Sequence, residues 1–151
     1  MLIAPVGTKV SELLNYVELK DGVELGKVII GGPMNGTAVY STDAPLSKVA
    51  NAVLLFGEKE AVLPAPTACI HCGRCMEKCP VNINIVGVEE ALRIHNDDEK
   101  EKALIATGVR QCVDCGCCSY VCPAHRTVLA TNQDAKWWLK EYARKKEGGN
   151  K

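Results

Sequence analysis

One cysteine pattern occurs twice in this chain. The run C-x2-C-x2-C-x3-C-P occupies residues 69–80 and again residues 112–123. In proteins with two cubane iron–sulfur clusters, the fourth cysteine of each such run ligates the other cluster. Three cysteines at intervals of three in a loop can direct their sulfurs at one cube, whereas the fourth lies beyond the loop. We therefore expect two [4Fe-4S] clusters with crossed ligand sets: Cys69, Cys72, Cys75 and Cys122 for the first, and Cys112, Cys115, Cys118 and Cys79 for the second.

Other uses of the cysteines fit the pattern less well. Structural zinc sites usually show cysteine or histidine pairs separated by a longer spacer, whereas each quartet here is contiguous and ends in proline. A disulfide framework is disfavoured because nine is an odd number of cysteines and no secretory signal pattern opens the sequence. We expect the ninth cysteine, Cys117, to be a free thiol near the second cluster, since the first run has Arg74 at that position.

The residues between the cysteines predict further features of the loops. Gly73 and Gly116 lie between the second and third cysteine of their runs, where a positive φ would let backbone amides approach the cluster sulfurs. The first run carries the basic residues Arg74 and Lys78, whereas the second carries the acidic Asp114. This difference predicts a higher reduction potential for the first cluster, because nearby charge is one of the levers on potential.

Composition limits the class of protein. The 151 residues allow one domain or two small ones, and 18 basic side chains balance 18 acidic ones. Eight thiolates and two oxidised cluster cores would bring the net charge to roughly −4. The sequence has no basic patch interleaved with aromatic residues, so nucleic acid is not an expected partner. It has no apolar run of membrane-spanning length, and reduced metal-binding cysteines predict a cytoplasmic location.

The first 60 residues predict a small α+β domain. We expect a helix at 9–16, strands at 27–30 and 52–56, and turns at Asp21–Gly22 and at 31–36. The glycine-rich run at 31–36 matches neither G-x-G-x-x-G nor a P-loop, so a tight turn explains it better than a nucleotide site. A proline-stiffened linker is expected at 61–66.

The remaining residues predict a helical two-cluster domain at 67–130, followed by a C-terminal helix and tail at 131–151. Helices are expected at 85–95, 97–107 and 132–146, with a disordered tail at 148–151. One face of the last helix carries Ala135, Trp138, Leu139 and Tyr142. We expect this stripe to pack on the domain. The alternative is that it docks a partner or a membrane, helped by Arg144, Lys145 and Lys146.

Several segments together resemble the C-terminal half of the family formed by the C subunits of Rnf electron transport complexes, and less closely the cobalamin reductases of microcompartments. The likeness covers residues 5–129. The run GGPMNG at 31–36 is more specific to this family than the cysteine quartets, which are common to ferredoxins. The segments are GGPMNG (31–36), APLSK (44–48), NAVLL (51–55), CIHCGRC (69–75) and CGCCSYVCP (115–123).

This resemblance implies a soluble-ligand-binding β-grasp domain at 1–60 and an α-helical ferredoxin-type domain after it. It also implies a peripheral position on the cytoplasmic face of a membrane complex that exchanges electrons between ferredoxin and NAD. Full-length members carry an upstream flavin- and nicotinamide-binding domain that nothing here matches. We therefore expect that part on another polypeptide or another segment, and no complete enzyme activity from this chain alone.

Three functions are compatible with the sequence. The leading hypothesis is an electron relay through two [4Fe-4S] clusters, with the other subunits of a membrane redox complex and ferredoxin as candidate partners. The second is the reductase portion of a cobalamin-handling enzyme. The third is a docking module that the clusters merely hold together.

Overall fold

The computed structural model describes residues 2–17, 19 and 22–148. Half of the turn predicted at Asp21–Gly22 and most of the predicted tail, residues 149–151, lie outside the described residues. The chain forms two compact units, Met1–Pro64 and Ala65–Lys151. The architecture is α+β, as expected.

The first unit is a three-stranded antiparallel sheet with short helices. The sheet order is β2-β1-β3, and Val28 of the central strand pairs with Val39 on one side and Leu55 on the other. In chain order the elements are α1 Val10–Leu14, β1 Leu25–Ile30, β2 Thr37–Val39, β3 Val53–Gly57 and α2 Glu58–Ala61.

The hairpin between β1 and β2 confirms the turn predicted at 31–36. Gly31 has a φ of 110°, and the Gly36 amide donates to the Gly32 carbonyl at 2.8 Å. A Cβ on Gly36 would lie 2.5 Å from both that carbonyl and the Ile29 side chain, so the turn closes only around glycine.

The sequence missed two elements of this unit and misplaced the ends of others. Neither β2 nor α2 was predicted, because three and four residues are too few to show a period of their own. Helix α1 is shorter than the predicted 9–16, and the strand predicted at 27–30 begins two residues earlier. The β-grasp assignment rests on the resemblance and stays a prediction.

Helices are the regular secondary structure of the second unit in its described residues. Its core brings together Ile83, Val88, Leu104, Val109 and Leu139, each at most 3% exposed. The elements are α3 Arg74–Glu77, α4 Ile85–Leu92, α5 Asp97–Ala106, a 3-10 turn Val109–Gln111, α6 Cys117–Tyr120 and α7 Val128–Gly148.

Local capping sets the limits of α4 and α5. Asn84 accepts a hydrogen bond from the Gly87 amide at 3.1 Å, and Asn96 accepts one from the Glu99 amide at 3.0 Å. Gly108, with a φ of 77°, follows α5 in a left-handed conformation typical of a helix end. Both helices are slightly shorter than the predicted 85–95 and 97–107.

Helix α7 packs on this unit through the predicted stripe. Ala135 and Leu139 are buried in the core, and Trp138 packs against it and stacks on Tyr142 at 4.9 Å between ring centroids. Lys146 binds Asp98 at 3.0 Å and Glu101 at 2.7 Å. The packing interpretation is thus confirmed. No helix among the described residues is long and apolar enough to cross a membrane.

The start of α7 differs from the prediction. The helix begins at Val128 rather than 132, inside the segment predicted as 67–130. The Ser119 hydroxyl accepts a hydrogen bond from the Leu129 amide at 2.8 Å. The partner that supports this first turn therefore comes from the second cysteine run, ten residues away.

Candidate metal centre

The two cysteine loops share one backbone conformation, 43 residues apart. In each loop, a left-handed residue directly precedes the second cysteine and a left-handed glycine directly follows it. A third left-handed residue lies two positions after the proline. The φ pairs are 53° and 54° at His71 and Asp114, 75° and 79° at Gly73 and Gly116, and 54° and 51° at Asn82 and His125. The positive φ expected at the two glycines is confirmed.

The glycines start the short helices that carry the third cysteines. The carbonyl of Gly73 accepts from the Met76 amide at 3.0 Å, and that of Gly116 accepts from the Ser119 amide at 3.1 Å. Without a Cβ, glycine adopts this left-handed turn at little cost. The local sequence therefore sets the direction in which Cys75 and Cys118 leave the backbone.

The first cavity draws its cysteines from both runs. Cys69, Cys72 and Cys75 line it together with Cys122 of the second run, around a volume of about 360 Å³. Cys72 is exposed to solvent and the other three are partly buried. The structure thus brings together the four residues that the sequence grouped as the first set.

The second cavity is lined by the other set, Cys79, Cys112, Cys115 and Cys118, and also by Cys117. Its volume is about 20 Å³, far smaller than that of the first. The Ile83 amide donates to the Cys79 sulfur at 3.4 Å. A hydrogen bond with Cys115 raises the pKa of the Cys117 thiol. The ninth cysteine therefore lies near the second set, as expected.

Burial disfavours the thiolate form of several of these cysteines. It raises the pKa of Cys118 to about 11, and it is the main cause of the raised pKa values of Cys75 and Cys112. Metals bind the thiolate, so metal binding here must release protons.

The donor set fits iron–sulfur chemistry. Each set of four cysteines lines a cavity between the two loops. Sulfur-only donors on such C-x2-C-x2-C-x3-C-P loops are the ligands of cubane clusters.

Sequence reasoning missed an ion pair beside the first cavity. Arg126 donates to the two carboxylate oxygens of Glu89 at 2.7 and 2.9 Å, and both side chains line the cavity. The Arg126 hydrogen bond holds the pKa of Glu89 below its ordinary value, and the pKa of Arg126 is raised by Glu89 first and by Cys69 as well. No local signal marks this pair, because its members are 37 residues apart.

A second ion pair lies beside the second set. Lys136 of α7 contacts Asp114 at 2.6 Å and donates to the Cys112 carbonyl at 2.9 Å. The Cys112 sulfur is 3.6 Å from the other Asp114 carboxylate oxygen. Asp114 was expected near this set, whereas Lys136 was not, since it comes from a distant helix.

Asn132 is the buried polar residue of α7 at the second cavity. It is 1% exposed, and its amide nitrogen lies 4.0 Å from the Cys118 sulfur. Its oxygen has no hydrogen-bond partner among the described residues. A buried oxygen without a hydrogen-bond partner is costly, so apolar packing alone does not explain an asparagine at this position.

Residues 61–123 match the family described as 4Fe-4S dicluster domain. The chain is also similar to three curated proteins, each the C subunit of a redox complex. It is 39% identical over 67 residues to that of the Na(+)-translocating ferredoxin:NAD(+) oxidoreductase complex of Acetobacterium woodii, covering 44% of this chain and 15% of that protein. It is 37% identical over 82 residues to the C subunit of the ion-translocating oxidoreductase complex of Methanosarcina acetivorans, and the match covers 54% of this chain and 18% of that protein. It is 41% identical over 81 residues to the C subunit of the ion-translocating oxidoreductase complex of Pseudomonas aeruginosa, and the match covers 53% of this chain and 10% of that protein.

The chain thus spans between 10% and 18% of the length of these relatives. The finding agrees with the resemblance drawn from the sequence, and the matched family model spans both cysteine runs. Residues 61–123 thus match a 4Fe-4S dicluster domain, and the similarity to C subunits of ion-translocating oxidoreductase complexes supports that family for this chain.

Proposed function

We propose that this chain relays single electrons through two [4Fe-4S] clusters within an Rnf-type ferredoxin:NAD oxidoreductase complex. The observation that carries the proposal is the crossed lining of the two cavities. Each is lined by the first three motif cysteines of one run and the last cysteine of the other, and the second is lined by Cys117 as well. This exchange is the arrangement that two cubane clusters require of these runs.

The ligands proposed for the first cluster are Cys69, Cys72, Cys75 and Cys122, and those for the second are Cys112, Cys115, Cys118 and Cys79. A bound cluster supplies reversible one-electron chemistry at its iron. The chain itself holds the iron through thiolates, restricts water by burial and tunes the potential through nearby charges and amides. This role requires no general base or nucleophile from the chain, so we assign it no complete enzyme activity alone.

The proposed partners are the other subunits of a membrane redox complex, including a separate flavin- and NAD-binding part, with ferredoxin as a candidate donor or acceptor. Relatives named as subunits of such complexes support this. We place the chain at the cytoplasmic face of the membrane, where soluble ferredoxin and NAD are found. Nucleic acid is not proposed as a partner.

Anaerobic reconstitution with iron and sulfide tests the proposal. We expect about eight iron atoms per chain, four for each cubane cluster, and reduction of both clusters followed by EPR. A chain that binds only about four irons contradicts the two-cluster relay. The iron count matters most at the second cavity, whose volume is only about 20 Å³. Eight irons that no physiological reductant can reduce would instead support a docking module.

Single serine variants test the crossed ligands. We expect Cys122→Ser to damage the cluster held by the first run and Cys79→Ser to damage the cluster held by the second. Cys117→Ser is the matched control and should leave the iron content unchanged. If each variant instead damages the cluster of its own run, the crossed assignment is wrong.

A further inference from the structure

Helix α7 carries a polar side chain on its apolar face. Asn132 lies three residues before Ala135 and seven before Leu139, so the three share the side of the helix that packs on the core. Asn132 is buried like both of them, and its side-chain oxygen has no hydrogen-bond partner among the described residues. Burying an amide costs free energy unless it forms hydrogen bonds. The amide nitrogen is therefore the atom whose contact can offset this cost.

The amide nitrogen contacts a sulfur of the second set. Nδ2 lies 4.0 Å from Sγ of Cys118 on α6, and both residues line the second cavity. A neutral thiol is a weak acceptor. Iron is bound by the thiolate instead, and its negative charge strengthens a hydrogen bond from an amide. We therefore expect this contact to strengthen when Cys118 binds iron.

Burial makes a donor valuable at this sulfur. All nine cysteines lie within the described part of the chain, and Cys118 is the one that is buried. Water is thus less available to solvate its thiolate than at an exposed cysteine such as Cys72. A buried negative charge is costly unless it accepts hydrogen bonds. The amide of Asn132, on the helix that faces α6, can supply one of them.

The first half of the repeat has no such donor at the equivalent position. Glu89 lies 43 residues before Asn132 and lines the first cavity. Its carboxylate accepts from Arg126 at 2.7 and 2.9 Å and from Arg93 at 2.7 Å. An ionised carboxylate has no hydrogen to donate. The amide donor is therefore particular to the second site and is not a consequence of the repeated loop and helix.

We propose that the Asn132 amide donates a hydrogen bond to the Cys118 thiolate of the second cluster and thereby raises the reduction potential of that cluster. Reduction adds one electron, and so one negative charge, to the cluster. An N–H group that donates to a ligating sulfur stabilises this charge. Asn132 is a positioning residue and not a ligand. The inference rests on the proposed function and deepens it, since it names the side chain that holds and tunes one of the two clusters.

The test is an EPR-monitored redox titration of the whole chain with dithionite after anaerobic reconstitution. Asn132→Leu removes the donor and keeps the branched shape of the side chain. We expect the equilibrium constant for reduction of the second cluster to fall about tenfold, or 59 mV for one electron, while the first potential stays unchanged. Adding Cys72→Ser, at an exposed cysteine of the first set, alters or removes the first cluster and so identifies the signal of the second.

Two variants separate the hydrogen bond from packing. Asn132→Gln keeps an amide and should recover part of the potential. Gln133→Leu makes the same kind of change at the next residue, which is exposed, and should leave both potentials unchanged. The amide protons exchange with solvent, so pulsed EPR of the second cluster in heavy water should show a weaker deuterium coupling in Asn132→Leu than in the parent chain.

Iron content separates a failure of this inference from a failure of the proposed function. About four irons in the parent chain contradict the two-cluster relay itself. With about eight irons, an unchanged second potential in Asn132→Leu overturns the inference alone. A Gln133→Leu shift of equal size, or a shift of the first cluster in place of the second, overturns it as well. If Asn132→Leu does not take up the second cluster, Asn132→Ala, which makes no steric demand, decides by the same titration.

Discussion

At the scale of single residues, the cysteines share one spacing in the two runs but differ in their exposure to solvent. Cys72 is exposed, whereas Cys118 is 7% exposed and lies on α6 against the core. Burial disfavours the charged thiolate and so raises the pKa of Cys118 to about 11. We therefore expect these two thiols, the second cysteine of one run and the third of the other, to react at different rates in the metal-free chain.

We expect iodoacetamide to alkylate Cys72 much faster than Cys118 in metal-free protein at pH 8, as measured by peptide mass spectrometry. Because the pKa of Cys118 is raised, its thiolate fraction and alkylation rate should continue to rise as the pH approaches about 11. Reconstituted protein is the control, in which both cysteines should be protected. Equal rates for the two thiols in the metal-free chain would contradict the burial argument.

At the scale of elements, the repeat extends past the cysteines. Helices α4 and α7 begin at Ile85 and Val128, again 43 residues apart, so each cysteine loop is followed by a helix at the same distance. One turn into these helices, Glu89 and Asn132 occupy equivalent positions and line the first and second cavity. The two halves thus share a loop–helix layout and differ in the polar group that each helix presents to its cavity.

Removing the cap of α7 tests how this layout is held. Ser119→Ala deletes the acceptor of the Leu129 amide, and losing a helix cap costs about 1 kcal/mol. We expect a lower midpoint of anaerobic thermal unfolding, followed by circular dichroism. Ser47→Ala, at an exposed serine of the first unit, is the control and should leave the midpoint unchanged. A Ser119→Ala midpoint equal to that of the parent would show that packing alone sets the start of α7.

At the scale of the whole molecule, both cysteine cavities lie in one unit. Every residue that lines the two cysteine cavities lies at position 66 or later, within the unit Ala65–Lys151. The ion pairs and the core that support the cavities lie in the same unit. The sheet of the first unit supplies no residue to either cavity.

A fragment of residues 65–151 should therefore bind as much iron as the full chain. We expect the same visible absorbance per mole and the same two reduction potentials after anaerobic reconstitution. The first unit alone, residues 1–64, is the matched control and should bind no iron, since it has no cysteine. Loss of half of the iron in the 65–151 fragment would show that the first unit is needed for cluster assembly.

Local patterns were sufficient to predict the left-handed glycines Gly73 and Gly116 and helices near α4 and α5, because backbone preference and capping act over a few residues. The crossed ligand sets stay a prediction. The local patterns did not predict β2 or the early start of α7. They also missed the partners of Glu89 and Asp114, which come from residues 37 and 22 positions away. Such contacts exist only once the helices pack. The repeated sequence by itself determined two similar cysteine loops, and only the tertiary structure decided which ion pair lies beside each of them.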